Sequence, residues 1–248
     1  MKLDDYLSII ECFLKEYATK ANAKGYVLGL SGGVDSSLCA ALARNAVGKE
    51  NMHCLMMPID SHPSDLKDAL EVAKVLGINY TVLDMSDTYH RFVKDFEKQG
   101  IKLDQGSLTN LKVRMRMSAL YAYGQNHNYL VIGTDNADER YTGYFTKYGD
   151  GAADVLPIAY LVKHEVVEAA KIKGVPSALA ERVPSAGLFE GQTDEKEMGV
   201  TYKDLDDFLL GKTINKDAKS RIERLHLISE HKRNPIPTPI AYTREKNE

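Results

Sequence analysis

Glycine and hydroxyl residues crowd into one short segment, residues 26–37, which reads YVLGLSGGVDSS. The adjacent glycines, Gly32 and Gly33, allow the backbone to curl so that several N–H groups point inward. A helix that follows such a turn presents its positive end, and the three serines add hydroxyl donors. The segment therefore predicts a phosphate site. The alternative is a plain strand-to-helix corner in which an Asp or Ser side chain caps the helix.

The segment lacks the lysine with which the commonest phosphate loop, G-x-x-x-x-G-K-[ST], reaches the β- and γ-phosphates. It carries Asp35 instead, which places a carboxylate in a site for anions. A magnesium ion between Asp35 and the phosphates resolves this conflict, because Mg²⁺ is commonly held by one or two carboxylates together with phosphate oxygens. We therefore expect a magnesium–nucleotide site at this loop.

Short apolar runs and helical patterns alternate along the first half of the chain. The runs that predict buried strands are 26–30, 53–59, 80–85 and 128–134. The segments with helical spacing between them are 36–48, 63–77 and 107–128. Repeated strand–helix–strand order predicts an α/β fold: a doubly wound, mostly parallel sheet with helices on both faces, Rossmann-like, with helical elaborations at the C-terminal end.

The pattern changes after Gly133, where glycines, charges and aromatics follow without a clear period. This composition predicts a long functional loop. Further helices are expected at 163–173, at 194–210 with a break near Gly199, and at 215–232, and prolines exclude a helix from the tail. With no linker or repeat in view, we expect residues 1–248 to form one domain.

Composition and charge argue against several classes of function and partner. The formal net charge of −3 gives no electrostatic reason to expect nucleic acid or a membrane surface as a partner. No run approaches the roughly 20 apolar residues that span a bilayer, and the amphipathic start does not read as a signal peptide, so we expect a cytoplasmic protein. Cys12, Cys39 and Cys54 offer no metal or disulfide framework and read as buried small hydrophobes. The histidines at 53, 62, 90, 127 and 164 have no ligand-like spacing.

The S-G-G-x-D-S loop resembles the pyrophosphate loop of the adenine-nucleotide α-hydrolases, also called N-type ATP pyrophosphatases. Three later stretches narrow the resemblance to the ammonia-dependent NAD synthetase family: 131–166, 183–209 and 229–237. The implied reaction joins deamido-NAD, ATP and ammonia to give NAD, AMP and pyrophosphate through an adenylated carboxylate. The loop would then hold the departing pyrophosphate, which explains why no lysine reaches a γ-phosphate.

The same resemblance implies a set of site residues. For ATP they are Gly29, Leu30, Ser31, Gly32, Gly33, Val34, Asp35, Ser36, Thr134, Lys163 and Ser185. For Mg²⁺ they are Asp35 and Glu139, and for deamido-NAD they are Arg114, Lys147, Asp154, His231 and Lys232. Lys163 and Asp150 are the expected catalytic residues, and Asp150 is placed by its motif position to take a proton from ammonium.

Several alternatives stay open on sequence alone. Ordinary surface, turn or capping interpretations exist for Glu139, Thr134, Lys163, Ser185 and the His231–Lys232 pair. The motif match selects Arg114 for the dinucleotide, and Arg116 is equally well interpreted as a surface residue. Tyr141, Tyr144, Phe145 and Tyr148 either stack on a ligand ring or pack the loop. Other enzymes with the same loop, and a nucleotide-binding sensor, are the rival functions. The family further implies a homodimer. Because only one helix precedes the loop in this sequence, we expect no glutaminase domain in this chain.

Overall fold

A computed structural model of the chain describes residues 1–182 and 193–242. Its sheet has four parallel strands in the order β3–β2–β1–β4. They span Gly25–Gly29 (β1), Met52–Met56 (β2), Asn79–Val82 (β3) and Tyr129–Val131 (β4). All four predicted strands and the parallel α/β fold are therefore confirmed, although each strand ends earlier than expected. A parallel bridge from Ile132 to Val155 continues the β4 edge.

Helices cover both faces of the sheet. The first seven α-helices are Leu3–Lys20 (α1), Val34–Val47 (α2), Pro63–Leu76 (α3), Ser86–Lys98 (α4), Gln105–His127 (α5), Ala137–Thr142 (α6) and Lys163–Ile172 (α7). The remaining ones are Ser177–Ala180 (α8), Asp194–Met198 (α9), Tyr202–Leu209 (α10), Lys216–Ile228 (α11) and Glu230–Arg233 (α12), and a 3₁₀ turn spans Lys49–Asn51. Among these residues no helix is both long enough and apolar enough to cross a bilayer.

Alternating strand residues divide between two cores, as the period-2 geometry of a strand requires. Tyr26 and Leu28 of β1 join the larger core, which α1, α2, α3 and α7 complete. Val27 faces the other way, into a smaller core with Leu55 and partly buried residues of α5. A third core lies among the C-terminal helices around Leu205 and Ile222.

The structure corrects three expectations. The segment after Gly133 contains α6, which a reciprocal capping box between Asn136 and Glu139 starts, so it is not wholly irregular. Helix α4 lies in a segment for which no helix was expected. Cys12 is exposed on α1, whereas Cys39 and Cys54 are buried as expected.

Candidate active site

A cleft of about 340 Å³ opens beyond the carboxyl ends of β1, β2 and β4. Because β2 and β4 flank β1, the strand order reverses there, and ligands of open α/β sheets bind at such switch points. The predicted residues that line the cleft are Gly29, Leu30, Ser31, Gly33, Val34, Asp35, Ser36, Thr134, Glu139, Asp150 and Lys163. Gly32 lies in the same turn, and Ser185 lies outside the described residues.

The glycine turn between β1 and α2 is a tight turn whose Ser31 and Gly33 N–H groups donate to the hydroxyls of Ser36 and Ser31. Gly32 has a φ of +84°, and a Cβ there would lie 2.9 Å from the amide nitrogen of Ala69. The hydroxyls of Ser31 and Ser36 lie 3.1 Å apart inside the turn. Helix α2 is preceded by Gly33, with no side-chain cap. The Asp or Ser cap expected in the alternative of a plain corner is therefore absent, and the first N–H groups of α2 have no side-chain cap.

Lys163 stands at the centre of the cleft's charges. Its Nζ donates to Asp35 Oδ2 at 2.6 Å and lies 3.7 Å from Glu139 Oε1. The ammonium also lies 4.7 Å from the centre of the Tyr202 ring, and the lysine is 5% exposed. Asn136 Nδ2 donates to the other oxygen of Asp35 at 2.8 Å. Lys163 is thus no solvated surface lysine, and its ammonium joins the glycine turn to α6.

Burial and neighbouring charges shift the pKa values of Lys163 and Glu139. Burial lowers the pKa of Lys163, but the negative charges of Asp35 and Glu139 outweigh it and raise the pKa above its ordinary value. Burial and the Asp35 charge raise the pKa of Glu139 well above its usual range. The cleft therefore stabilises a cation between these two carboxylates.

The same pair of carboxylates suits magnesium. Asp35 and Glu139 both contact one cation, the Lys163 ammonium, and carboxylate oxygens are ligands that Mg²⁺ accepts. Across residues 1–182 and 193–242, no group of three or more His, Cys, Asp or Glu side chains is arranged to hold a metal without other ligands. This donor set fits an ion that takes its remaining ligands from phosphate oxygens and water.

A second carboxylate pair fixes the backbone of Lys163. Its N–H donates to Asp138 Oδ2 at 2.7 Å and to Asp206 Oδ1 at 2.9 Å. Asp206 also accepts from the His164 backbone at 3.2 Å and pairs with the ring nitrogen Nδ1 at 2.8 Å. Burial, then the neighbouring Asp206 charge, raises the pKa of Asp138 to about 8. Sequence reasoning missed both aspartates, which hold the backbone of Lys163 in place without lining the cleft.

Helices α9 and α10 close one side of the site. The hydroxyl of Tyr202 donates to Asp194 Oδ2 at 3.0 Å and to Glu139 Oε1 at 3.3 Å. Tyr144 donates to the other oxygen of Asp194 at 3.2 Å. Tyr144 and Asp194 both line the cleft. These contacts tie the C-terminal helices to the candidate metal ligand, and no spacing in the sequence indicated them.

Arg116 lies in the wall of the cleft, so its surface interpretation is wrong. Its Nε donates to the carbonyl of Met57 at 3.0 Å and its Nη2 to the hydroxyl of Ser61 at 3.3 Å. Arg182 also lines the cleft and pairs with Asp65 at 2.8 Å. Both guanidinium groups therefore add positive charge to the wall of the cleft.

The residues predicted for deamido-NAD hold the cleft's rim together and do not line its central cavity. Arg114 donates to the carbonyl of Lys147 at 3.3 Å, and Lys147 Nζ donates to the carbonyl of His231 at 2.6 Å. Lys232 Nζ donates to the carbonyls of Gly143 and Phe145 at 2.7 and 2.6 Å. The four residues that these hydrogen bonds bring together form what we call the rim: Arg114, Lys147, His231 and Lys232.

Asp154, the fifth of that set, accepts from the backbone of Val131 at 2.7 Å and from the Tyr121 hydroxyl at 3.4 Å. It therefore anchors the end of β4 beside the same rim.

The loop aromatics divide between packing and exposure. Tyr141 stacks on His226 with ring centres 4.1 Å apart, and Phe145 is buried beneath the Lys232 ammonium. Tyr144 lines the cleft, and Tyr148 is 52% exposed with a φ of +60°. Packing accounts for Tyr141 and Phe145.

Comparisons with known proteins agree with this architecture. The sequence model of the NAD synthase family matches residues 6–236. The NH(3)-dependent NAD(+) synthetase of Mesoplasma florum is 42% identical over 245 residues, which cover 99% of this chain and 100% of the relative.

Two solved structures share the fold over nearly the whole chain. NMN synthetase from Francisella tularensis is 40% identical with a TM-score of 0.91, covering 97% of this chain and 100% of that one. The NH3-dependent NAD synthetase from Campylobacter jejuni is 30% identical with a TM-score of 0.79 and the same coverages. The resemblance inferred from the sequence motifs is confirmed: the chain belongs to the NAD synthase family.

Proposed function

We propose that the protein catalyses the ATP-dependent amidation of deamido-NAD with ammonia, giving NAD, AMP and pyrophosphate. The observation that carries this proposal is the Lys163 ammonium between Asp35 and Glu139, beside the uncapped start of α2. Membership of the NAD synthase family supports it. The reaction needs several negative charges gathered in one place and neutralised as they shift, and this arrangement provides for that.

In the first step, the nicotinate carboxylate oxygen attacks the α-phosphorus of ATP and pyrophosphate leaves. The N–H groups of the glycine turn and of the first turn of α2 hold the departing pyrophosphate. Lys163 neutralises charge on the phosphates, and Thr134 and Ser185 contribute hydroxyl groups to ATP. Asp35 and Glu139 would hold Mg²⁺, which supplies positive charge to the phosphate oxygens when bound.

In the second step, ammonia attacks the adenylated carbonyl and AMP leaves. Arg114, Lys147, Asp154, His231 and Lys232 bind the dinucleotide from the rim. Asp150 takes a proton from ammonium. Its Oδ1 accepts from the backbone of Thr146 at 2.7 Å, and the carboxylate opens to solvent inside the cleft, where ammonium can reach it.

A mononucleotide is the second candidate substrate. The Francisella NMN synthetase matches this chain with a TM-score of 0.91, against 0.79 for the Campylobacter NAD synthetase. Both substrates carry the same nicotinate carboxylate, so the cleft's chemistry does not choose between them. The rim residues would distinguish them, because only the dinucleotide has an adenylate half to hold.

We further propose a homodimer. The edge strand β3 and the adjoining α4 expose Tyr80, Val82, Leu83 and Phe92, each by more than 40%. Helix α5, which carries Arg114, buries only Val113 and Gly124 of its 23 residues. A second copy on this face would cover the open strand edge and adjoin the dinucleotide rim. The cytoplasm as compartment and one domain over residues 1–248 stay predictions.

One assay tests the activity. Purified protein is incubated with ATP, Mg²⁺ and ammonium, together with either deamido-NAD or nicotinate mononucleotide. We expect NAD, AMP and pyrophosphate in equal amounts, and a kcat/KM that favours deamido-NAD. Preference for the mononucleotide would establish the second candidate. Release of ADP and orthophosphate, or pyrophosphate release only with another carboxylate or nucleotide, would overturn the proposal.

A further inference from the structure

We propose that the carboxylate of Asp135 binds the ammonium substrate, as the buried partner of Asp150 in the cleft. The inference rests on the proposed amidation and adds a residue that neither the loop motif nor the rim residues include. Asp135 follows Thr134 at the end of the β4 edge, and both residues line the cleft. It therefore lies on the same wall as the proposed ATP contact.

Asp135 has a buried oxygen without a hydrogen-bond donor. The residue is 3% exposed, and its Oδ2 accepts no hydrogen bond from any part of the chain that the structure describes. The nearest cation, Arg140 Nη1, lies 3.9 Å away, which is too far for a hydrogen bond. A buried charged oxygen without a donor is costly, and native proteins rarely keep one without a use. The wall of the cleft thus contains a buried acceptor that no described group satisfies.

A second carboxylate, that of Asp150, lines the same cleft as Asp135. Burial raises the pKa of Asp135 well above its ordinary value, and the negative charges of Asp150 and then Asp35 raise it further. Arg140 and Lys232 oppose these charges only in part. Asp150 keeps its Oδ1 in place through the N–H groups of Thr146 and Gly151, at 2.7 and 3.2 Å. Two fixed carboxylates that repel each other across a cavity favour a small cation between them.

Ammonium fits this space by its chemistry. It carries one positive charge and four N–H donors, whereas an ionised carboxylate can only accept. A water molecule would donate to Oδ2 and leave the repulsion uncompensated.

Binding at Asp135 also prepares the attack on the adenylate. One N–H bond of ammonium breaks, its proton passes to a carboxylate oxygen of the pair, and its electron pair stays on nitrogen. That electron pair forms the C–N bond as the C–O bond to AMP breaks. A second proton then leaves the nitrogen for water, and the neutral amide remains.

The test compares two nitrogen nucleophiles in wild type and Asp135→Asn, an isosteric change. Ammonium is charged at neutral pH, whereas hydroxylamine is mostly neutral. We expect the KM for ammonium to rise roughly tenfold to a hundredfold, since a charge-assisted hydrogen bond is lost. The rate with hydroxylamine should stay unchanged, and so should pyrophosphate–ATP exchange, which reports adenylate formation. Asp217→Asn, an exposed carboxylate in the first turn of α11, is the matched control.

Other outcomes count against the inference. An equal loss with both nucleophiles, an unchanged KM for ammonium, or a changed magnesium requirement would each overturn it. Thermal unfolding separates binding from structure: Asp135→Asn removes a buried charge that lacks a donor, so Tm should hold or rise, and a lower Tm would assign Asp135 a structural role. A wild-type protein that makes no amide would overturn the proposed function itself. Amide formation with an unaffected variant would overturn this inference alone.

Discussion

Lys163 Nζ lies 2.6 Å from Asp35 Oδ2, although 128 positions separate the two residues in the chain. The two first turns that carry them, of α7 and α2, meet at the mouth of the sheet. A lysine at a helix start is opposed by the helix dipole, so this position is not favoured by α7 itself. The negative charges of Asp35 and Glu139 offset this unfavourable interaction with the dipole. The Lys163–Asp35 pair is therefore stabilised by the cleft and not by helix α7.

Replacing Lys163 with Met should lower kcat for pyrophosphate release roughly 100-fold or more, because a pre-aimed charge on the phosphates is lost. Folding stability should also fall by about 3–5 kcal/mol in the absence of Mg²⁺, since the buried carboxylates lose their cation. Steady-state kinetics and urea unfolding measure the two effects. The control is Lys171→Met on the same helix, whose ammonium pairs with Glu181 at the surface. Wild-type pyrophosphate release by Lys163→Met would remove the lysine from the mechanism.

Asp138 should make folding stability fall as pH rises. Its pKa moves from an ordinary value of 3.8 to about 8 in the folded protein, because burial and Asp206 disfavour its charge. Between these values the folded state binds more protons than the unfolded state, so the contribution is fully present below pH 3.8 and is lost as pH rises through about 8. One such group gives a slope of at most about 1.4 kcal/mol per pH unit.

Asp138→Asn should flatten that dependence, since an amide does not titrate. Urea unfolding without Mg²⁺ from pH 5 to pH 9 would give the slopes for wild type and variant. Asp87→Asn, at an exposed position in the first turn of α4, controls for loss of charge alone. If the two variants have the same slope, proton binding at Asp138 is not linked to folding.

Sequence patterns predicted those parts of the site whose residues are contiguous in the sequence. The strand, glycine turn and helix of residues 25–47 follow one another directly, so their residue types were enough to predict the strand–turn–helix unit. Lys163 was predicted to open a helix, and it does. The asparagine–glutamate spacing of the α6 capping box was also readable, and taking the segment as irregular overlooked it.

Contacts between distant segments were not predictable in the same way. Asp206 reaches the Lys163 backbone from a different helix, and Tyr202 reaches Glu139 across 63 positions. Nothing in the spacing around Asp135 indicates that its oxygen would be buried without a donor. Such features arise from the packing of α10 against α6 and α7, which periodicity does not report.

The three cysteines should react in two classes. Cys12 is exposed on α1, whereas Cys39 and Cys54 are fully buried, and burial raises the pKa of Cys54 to about 12. The thiolate is the reactive form, so one thiol per chain should react with a disulfide reagent at neutral pH and three after unfolding. The single reaction should be slow, because the hydrogen bond to Glu16 raises the pKa of Cys12. Cys12→Ser should abolish it, and a folded chain with three reactive thiols would contradict the core.

The exposed apolar faces make the homodimer testable with a matched pair of substitutions. Phe92 on α4 is 47% exposed beside the open edge of β3, and Ile9 on α1 is 51% exposed on a separate face. We expect Phe92→Glu to shift the protein to monomer, because a charge would be buried against the second copy. Ile9→Glu should leave the dimer intact.

Sedimentation velocity over a dilution series reads out both variants. In the Phe92→Glu monomer, deamido-NAD binding should weaken more than ATP binding. Arg114 of the rim lies on α5 beside the proposed subunit contact, whereas the glycine turn that would hold ATP lies away from it. Dissociation by Ile9→Glu alone would move the contact to α1. Equal weakening of both ligands would separate the dinucleotide site from the subunit contact.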